Sequence, residues 1–153
     1  MKRILFLSLS MLMVTALFTA CSKDDNGNPR PDLPQGKTMK LTITATGLTS
    51  NDHLKTTISG GTINGTEATL YKVNGVAQVN QKGFEIGQSK LISGPVTIET
   101  VVPVAITSIS MGGFSAAGHS FSIKIEPVID GKSQTAINQS YTTETFAKVY
   151  DFR

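Results

Sequence analysis

The sequence predicts an all-β protein: a single β-sandwich of about seven to nine strands, immunoglobulin-like or Greek-key in topology, behind a signal peptide and a flexible tether. Three observations predict it. Apolar residues over the last 115 positions recur with period two instead of 3.6. Asn-Gly and Asp-Gly pairs fall between the apolar runs. No stretch carries the caps and periodicity of a helix of useful length. With 153 residues, of which 39% are hydrophobic and 16% charged, the chain has room for one core. The formal charge of +3 is too small to point to nucleic acid as a partner.

Residues 1–20 read as an address. Lys2 and Arg3 precede an apolar stretch from Ile4 to Phe18. Fifteen helical residues reach roughly 23 Å, short of a hydrocarbon layer of about 30 Å, so the stretch suits a signal peptide better than a spanning helix. It closes on Phe18-Thr19-Ala20-Cys21. These residues resemble the lipobox that signal peptidase II reads in bacterial lipoproteins, with Phe18 standing where Leu is usual. The resemblance implies that Cys21 carries palmitate-like acyl chains and becomes the first residue of the mature protein. At about 0.8 kcal/mol per buried CH₂, two or three chains hold a protein on a bilayer. Ser22-Lys23-Asp24-Asp25 is similar to the acidic signal that sends Bacteroidetes-type lipoproteins to the outer face of the outer membrane, which implies a location facing the cell exterior.

Residues 21–38 are then the lipidated Cys and a tether. Pro29, Pro31, Pro34, Gly27 and Gly36 with few apolar neighbours give the segment no means of burying itself. Asp24 to Asn28 faintly resembles a calcium loop, but the glycine that such a loop needs is Pro29 and the closing glutamate is Gln35, so calcium is not expected there. Loss of residues 1–20 leaves 12 basic against 11 acidic side chains, a balance of +1, and with it goes any basic-patch reading.

Residues 39–153 form the sandwich domain. In Lys40 to Thr46, Leu41, Ile43 and Ala45 share one face and Lys40, Thr42, Thr44 and Thr46 the other. Ser120 to Glu126 repeats the pattern, with Pro127 expected at a strand end, bulge or edge. Glu67 to Val73, Gly83 to Ile86, Pro95 to Met111 and Thr142 to Phe152 are rich in β-formers. Within Pro95 to Met111 the apolar parity changes, which predicts a bend or bulge near Thr107 and Ser108. Asn64-Gly65, Asn74-Gly75 and Asp130-Gly131 supply hairpin turns. The expected core is Leu41, Ile43, Ile58, Leu70, Val73, Phe84, Ile86, Ile98, Val102, Val104, Ile106, Phe121, Ile123, Ile125 and Val149.

Groups able to do chemistry are scarce. His53 and His119 are 66 positions apart, and Asn51-Asp52-His53 reads as a polar turn. Gly118-His119-Ser120-Phe121-Ser122 misses a nucleophile elbow because Ser122 replaces its second glycine. The eight carboxylates of the domain are spread singly, and an acylated Cys21 is no nucleophile. No catalytic residue, cofactor or metal site is therefore assigned, and Cys21 is the one site residue, for lipidation. Met111 to Gly118 reads as a mobile Gly-rich connection, or alternatively as a loop tip that presents Phe114 to a partner. Phe146, Tyr150 and Phe152 share one parity and are expected on the inner face of the last strand, with Lys148 reaching out. The function expected is that of a non-enzymatic, lipid-anchored binding or assembly module with an unidentified protein or glycan partner. The alternatives are a glycan-binding accessory of nutrient uptake, which needs those aromatics exposed, and a structural part of a secretion or adhesion apparatus, which predicts a paired sheet edge or a projecting loop at 111–118.

Overall fold

The structure, a computed structural model, describes residues 35–142 and 144–153. Two antiparallel sheets pack face to face as an open sandwich, as the alternation predicts. The elements in chain order are β1 (Met39–Thr46), β2 (His53–Gly61), β3 (Tyr71–Val73), β4 (Val76–Ala77), β5 (Gly83–Ile86), α1 (Gln88–Ile92), β6 (Val96–Thr100), β7 (Ile106–Phe114), β8 (Phe121–Ile129), β9 (Lys132–Ser133), β10 (Ile137–Tyr141) and β11 (Phe146–Phe152). The larger sheet runs β10-β8-β1-β6-β3-β4, with β9 beside β8, and the smaller runs β11-β7-β2-β5. Cys21 and the tether residues up to 34 lie outside the described residues. Lys37 pairs with Val104, so ordered pairing begins two residues before Met39.

The parity change in the 95–111 run has a larger cause than a bulge at Thr107 and Ser108. The chain leaves the larger sheet after Thr100, turns through Val101–Ala105 with Pro103 in the corner, and enters the smaller sheet at Ile106. Val96 and Ile98 face the core from one sheet, Thr107, Ile109 and Met111 from the other, and the crossing between the sheets resets which parity points inward. Asn74-Gly75 and Asp130-Gly131 close hairpins with both residues at positive φ. Asn64-Gly65 does not: it lies in the connection between β2 and β3, which belong to different sheets. Pro127 sits inside β8 rather than at its end, opposite Leu41, where pairing with β10 has stopped at Ile125 and pairing with β9 starts at Val128. The gap spares the ladder a missing N–H.

Most of the expected core is buried, with Phe84 and Val102 packed half-buried against it and Ile106 half-buried. Val149 is the exception. It is 65% exposed, because β11 turns Phe146, Tyr150 and Phe152 inward and sets Val149 outside, opposite Ser110. Tyr71, Ile109, Met111, Tyr141 and Phe152 are among the further residues buried in the core. Gly60 belongs to this packing, since a side chain there would run into the Tyr71 hydroxyl, which lies 3.0 Å from Thr107 Oγ1.

Candidate functional site

Polar groups from the β1–β2 and β7–β8 loops converge on Asp52. Asp52, expected in an exposed turn, is buried just before β2. Its Oδ2 accepts from the Thr49 N–H at 2.8 Å and the Thr49 hydroxyl at 2.8 Å. Its Oδ1 accepts from the Ala116 N–H at 2.9 Å and from His119 Nδ1 at 2.9 Å. The Ser115 hydroxyl lies 3.1 Å from Oδ1 and 2.8 Å from the His119 carbonyl, and its single proton serves one of them at a time. Gln88 of α1 locks the same loop, accepting from Leu54 N–H at 2.9 Å and donating to the Thr49 and Asp52 carbonyls at 2.8 and 2.9 Å.

This knot sets its own electrostatics. Burial by itself pushes the Asp52 carboxyl upward, but the N–H groups of Ala116 and Thr49, the His119 ring and the Thr49 hydroxyl together hold it well below the usual carboxylate range. An ionised Asp52 can only accept, so His119 Nδ1 carries the proton. Asp52, His119 and Ser115 are the residue types of a hydrolase triad, arranged differently. In a triad the serine meets the imidazole nitrogen remote from the carboxylate, whereas Ser115 lies on the Nδ1 side, 3.5 Å away, and is itself buried. What the arrangement does is tie the β1–β2 loop to the β7–β8 loop, across 63 to 67 positions of sequence.

His53, the next residue, faces the opposite way. It opens β2 and stacks on Phe114 at the end of β7, ring centres 5.4 Å apart and planes 24° apart. Phe114 remains 45% exposed. Met111 to Phe114 therefore form strand, and only Ser115 to Ser120 form the connection that was expected to span 111–118. The glycines explain the difference. Gly113 lets β2 come so close that a side chain there would collide with the His53 carbonyl. Beside the stack lies a groove of about 440 Å³ on the outer face of the smaller sheet, larger than clefts of about 290 and 280 Å³ elsewhere on the domain. Gly112 lies between its cross-strand partners Lys55 and Ala147, with Thr57 and Ser110 in the same lining. Lys55 is paired with Glu85 at 3.4 Å.

The remaining expectations divide. Phe146, Tyr150 and Phe152 pack on the core with Phe121 and Tyr141, as their shared parity predicts, and Lys148, of the same parity, is exposed, as expected of a side chain that reaches out to solvent. They offer no exposed aromatic platform. Among the described residues the buried Tyr141 and Tyr150 hydroxyls have no hydrogen-bond partner, and burial, with Tyr150 beside it, raises the Tyr141 phenol above its usual range. Glu99 lies between Lys72 at 2.7 Å and Lys40 at 3.2 Å, and these two ammonium groups hold its carboxyl below the usual range. Sequence reasoning missed the knot. Its local half, Thr49-x-x-Asp52, is a readable turn signal, but its partners come from the other end of the domain.

No protein-family model and no curated protein matches the chain. Solved structures do resemble it. A DUF4425 family protein from Bacteroides ovatus aligns with a TM-score of 0.58 at 15% identity, covering 76% of this chain and 94% of that one. A domain of unknown function, DUF4425, from Bacteroides vulgatus aligns with a TM-score of 0.57 at 17% identity, over 79% and 96%. The calcium-bound form of a protein from Parabacteroides distasonis aligns with a TM-score of 0.59 at 12% identity, over 81% and 99%. At such identities the likeness carries the fold, and the organisms are consistent with a protein of the Bacteroidetes.

Proposed function

We propose that this chain is a lipid-anchored protein of the outer membrane, facing the cell exterior, whose sandwich acts as a non-catalytic binding or assembly module. The anchor reading is supported by the basic start, the apolar run and Cys21 at its end, with Ser22-Lys23-Asp24-Asp25 behind it. Binding rather than catalysis is supported by one observation. Asp52, Ser115 and His119, the residue types of a hydrolase triad, are engaged in joining two loops, while the adjacent His53–Phe114 groove stands open on a sheet face. The Parabacteroides distasonis neighbour is a calcium-bound form. Among the described residues of this chain no three His, Cys, Asp or Glu side chains converge, and the Asp52 oxygens are already occupied by donors, so calcium forms no part of the proposal.

Assembly has its own support in β11. It is a seven-residue edge strand without proline, and Val149 on it is 65% exposed.

Fractionation tests the anchor. Wild type is expected in the outer-membrane fraction and sensitive to protease added to intact cells. Cys21→Ala is expected to leave that fraction; a variant that stays as firmly bound contradicts the proposal.

A further inference from the structure

We infer that the groove over Gly112 is a binding site for a short neutral saccharide, an inference that rests on the binding-module reading above. It starts from a glycine the fold does not need. Gly112 lies in the body of β7 with no positive φ, and a Cβ added there would meet only the Phe146 carbonyl, at an ordinary 3.5 Å. Gly113 and Gly60, by contrast, are crowded by the His53 carbonyl and the Tyr71 hydroxyl. A strand glycine weakens the sheet, and one without an internal reason marks a place where something outside approaches the backbone closely.

The groove's chemistry selects the class of visitor. At one end the His53 ring braces Phe114, giving a fixed apolar surface that suits the C–H face of a pyranose. Thr57 and Ser110 line the same groove and bring it two hydroxyls, each donor and acceptor. Among the described residues the lining holds one lysine, Lys55, and no acid, but Glu85 lies 3.4 Å from its ammonium in an exposed pair and offsets the charge that would otherwise select an anion. A volume of about 440 Å³ lies in the range of small-molecule sites. A flat body with one apolar face and a hydroxyl rim is a sugar ring.

Isothermal titration of the full-length protein tests this, in a zwitterionic detergent whose headgroup carries no sugar. The probes are maltose, cellobiose, lactose and chitobiose, with digalacturonate as the charged control. At least one neutral disaccharide is expected to bind, with a Kd on the order of 1 mM. Gly112→Val and Phe114→Ala are each expected to weaken it at least tenfold while Gly112→Val leaves the melting temperature close to wild type. Gly112→Ala provides a smaller filling of the groove should the valine variant fold poorly. Binding by none of the neutral sugars, or by digalacturonate alone, overturns the ligand class. Binding that survives the Gly112 substitutions overturns the site while leaving the module reading intact, and the Cys21→Ala fractionation fails or succeeds independently of all of these.

Discussion

Asp52 and His53 are neighbours in the chain and opposites in role. Asp52 is buried, accepts from four donors, with the Ser115 hydroxyl shared between it and the His119 carbonyl, and joins loops far apart in the sequence. His53 is exposed, stacks on Phe114 and borders an open groove. The alternation of a strand produces the split, because successive side chains leave on opposite sides as β2 begins. Residue types that invite a catalytic reading can be wholly employed in holding a fold, and the surface left free for recognition can start one residue later.

Substitutions can break or sharpen this contrast. The largest effect is expected from Asp52→Ala, which strands the donors of Thr49, Ala116 and His119 in a buried site and should cost about 3–5 kcal/mol in a urea titration. A cost near zero would mean that the knot is not structural. Gly113→Ala comes next, at about 2–3 kcal/mol, because the new methyl must push β2 away from β7.

Acid offers a third route. A carboxyl held low in the folded state makes the unfolded chain bind more protons, so stability rises with pH. The Asp52 contribution should be complete above about pH 4 and drain away as pH falls through the depressed folded value, and Asp52→Asn should flatten that slope. The smallest effect belongs to Gly112→Ala, one residue from the costly glycine. It should change stability by no more than about 0.5 kcal/mol, in the stabilising direction, since a strand position gains a side chain and loses unfolded-state freedom.

The sandwich was legible because Leu41, Ile43, Phe121, Ile123 and Ile125 alternate strictly, and all five are buried where the alternation places them. β2 was harder to see: Thr56 takes a core position between Leu54 and Ile58, so the pattern has a polar residue on its apolar side, and two glycines end it. β10 carries only Ile137 and Tyr141 as apolar residues. The parity change, read near Thr107 and Ser108, was visible as a signal, but a bulge and a crossing between sheets write the same pattern. At the site, local reading cannot bring Asp52 to Ala116 across 64 positions. The groove was hidden because Gly112, Gly113 and Phe114 look like a loop until β2 is laid beside them. Val149 was placed in the core by composition, although the parity of Phe146, Tyr150 and Phe152 already set it on the other face.

The intact mass of the mature protein extracted from membranes tests the central claim most directly. The account predicts a chain that begins at Cys21 and is heavier than its amino acids by two or three acyl chains. A chain cut elsewhere, or a Cys21 that still reacts as a free thiol, would contradict it.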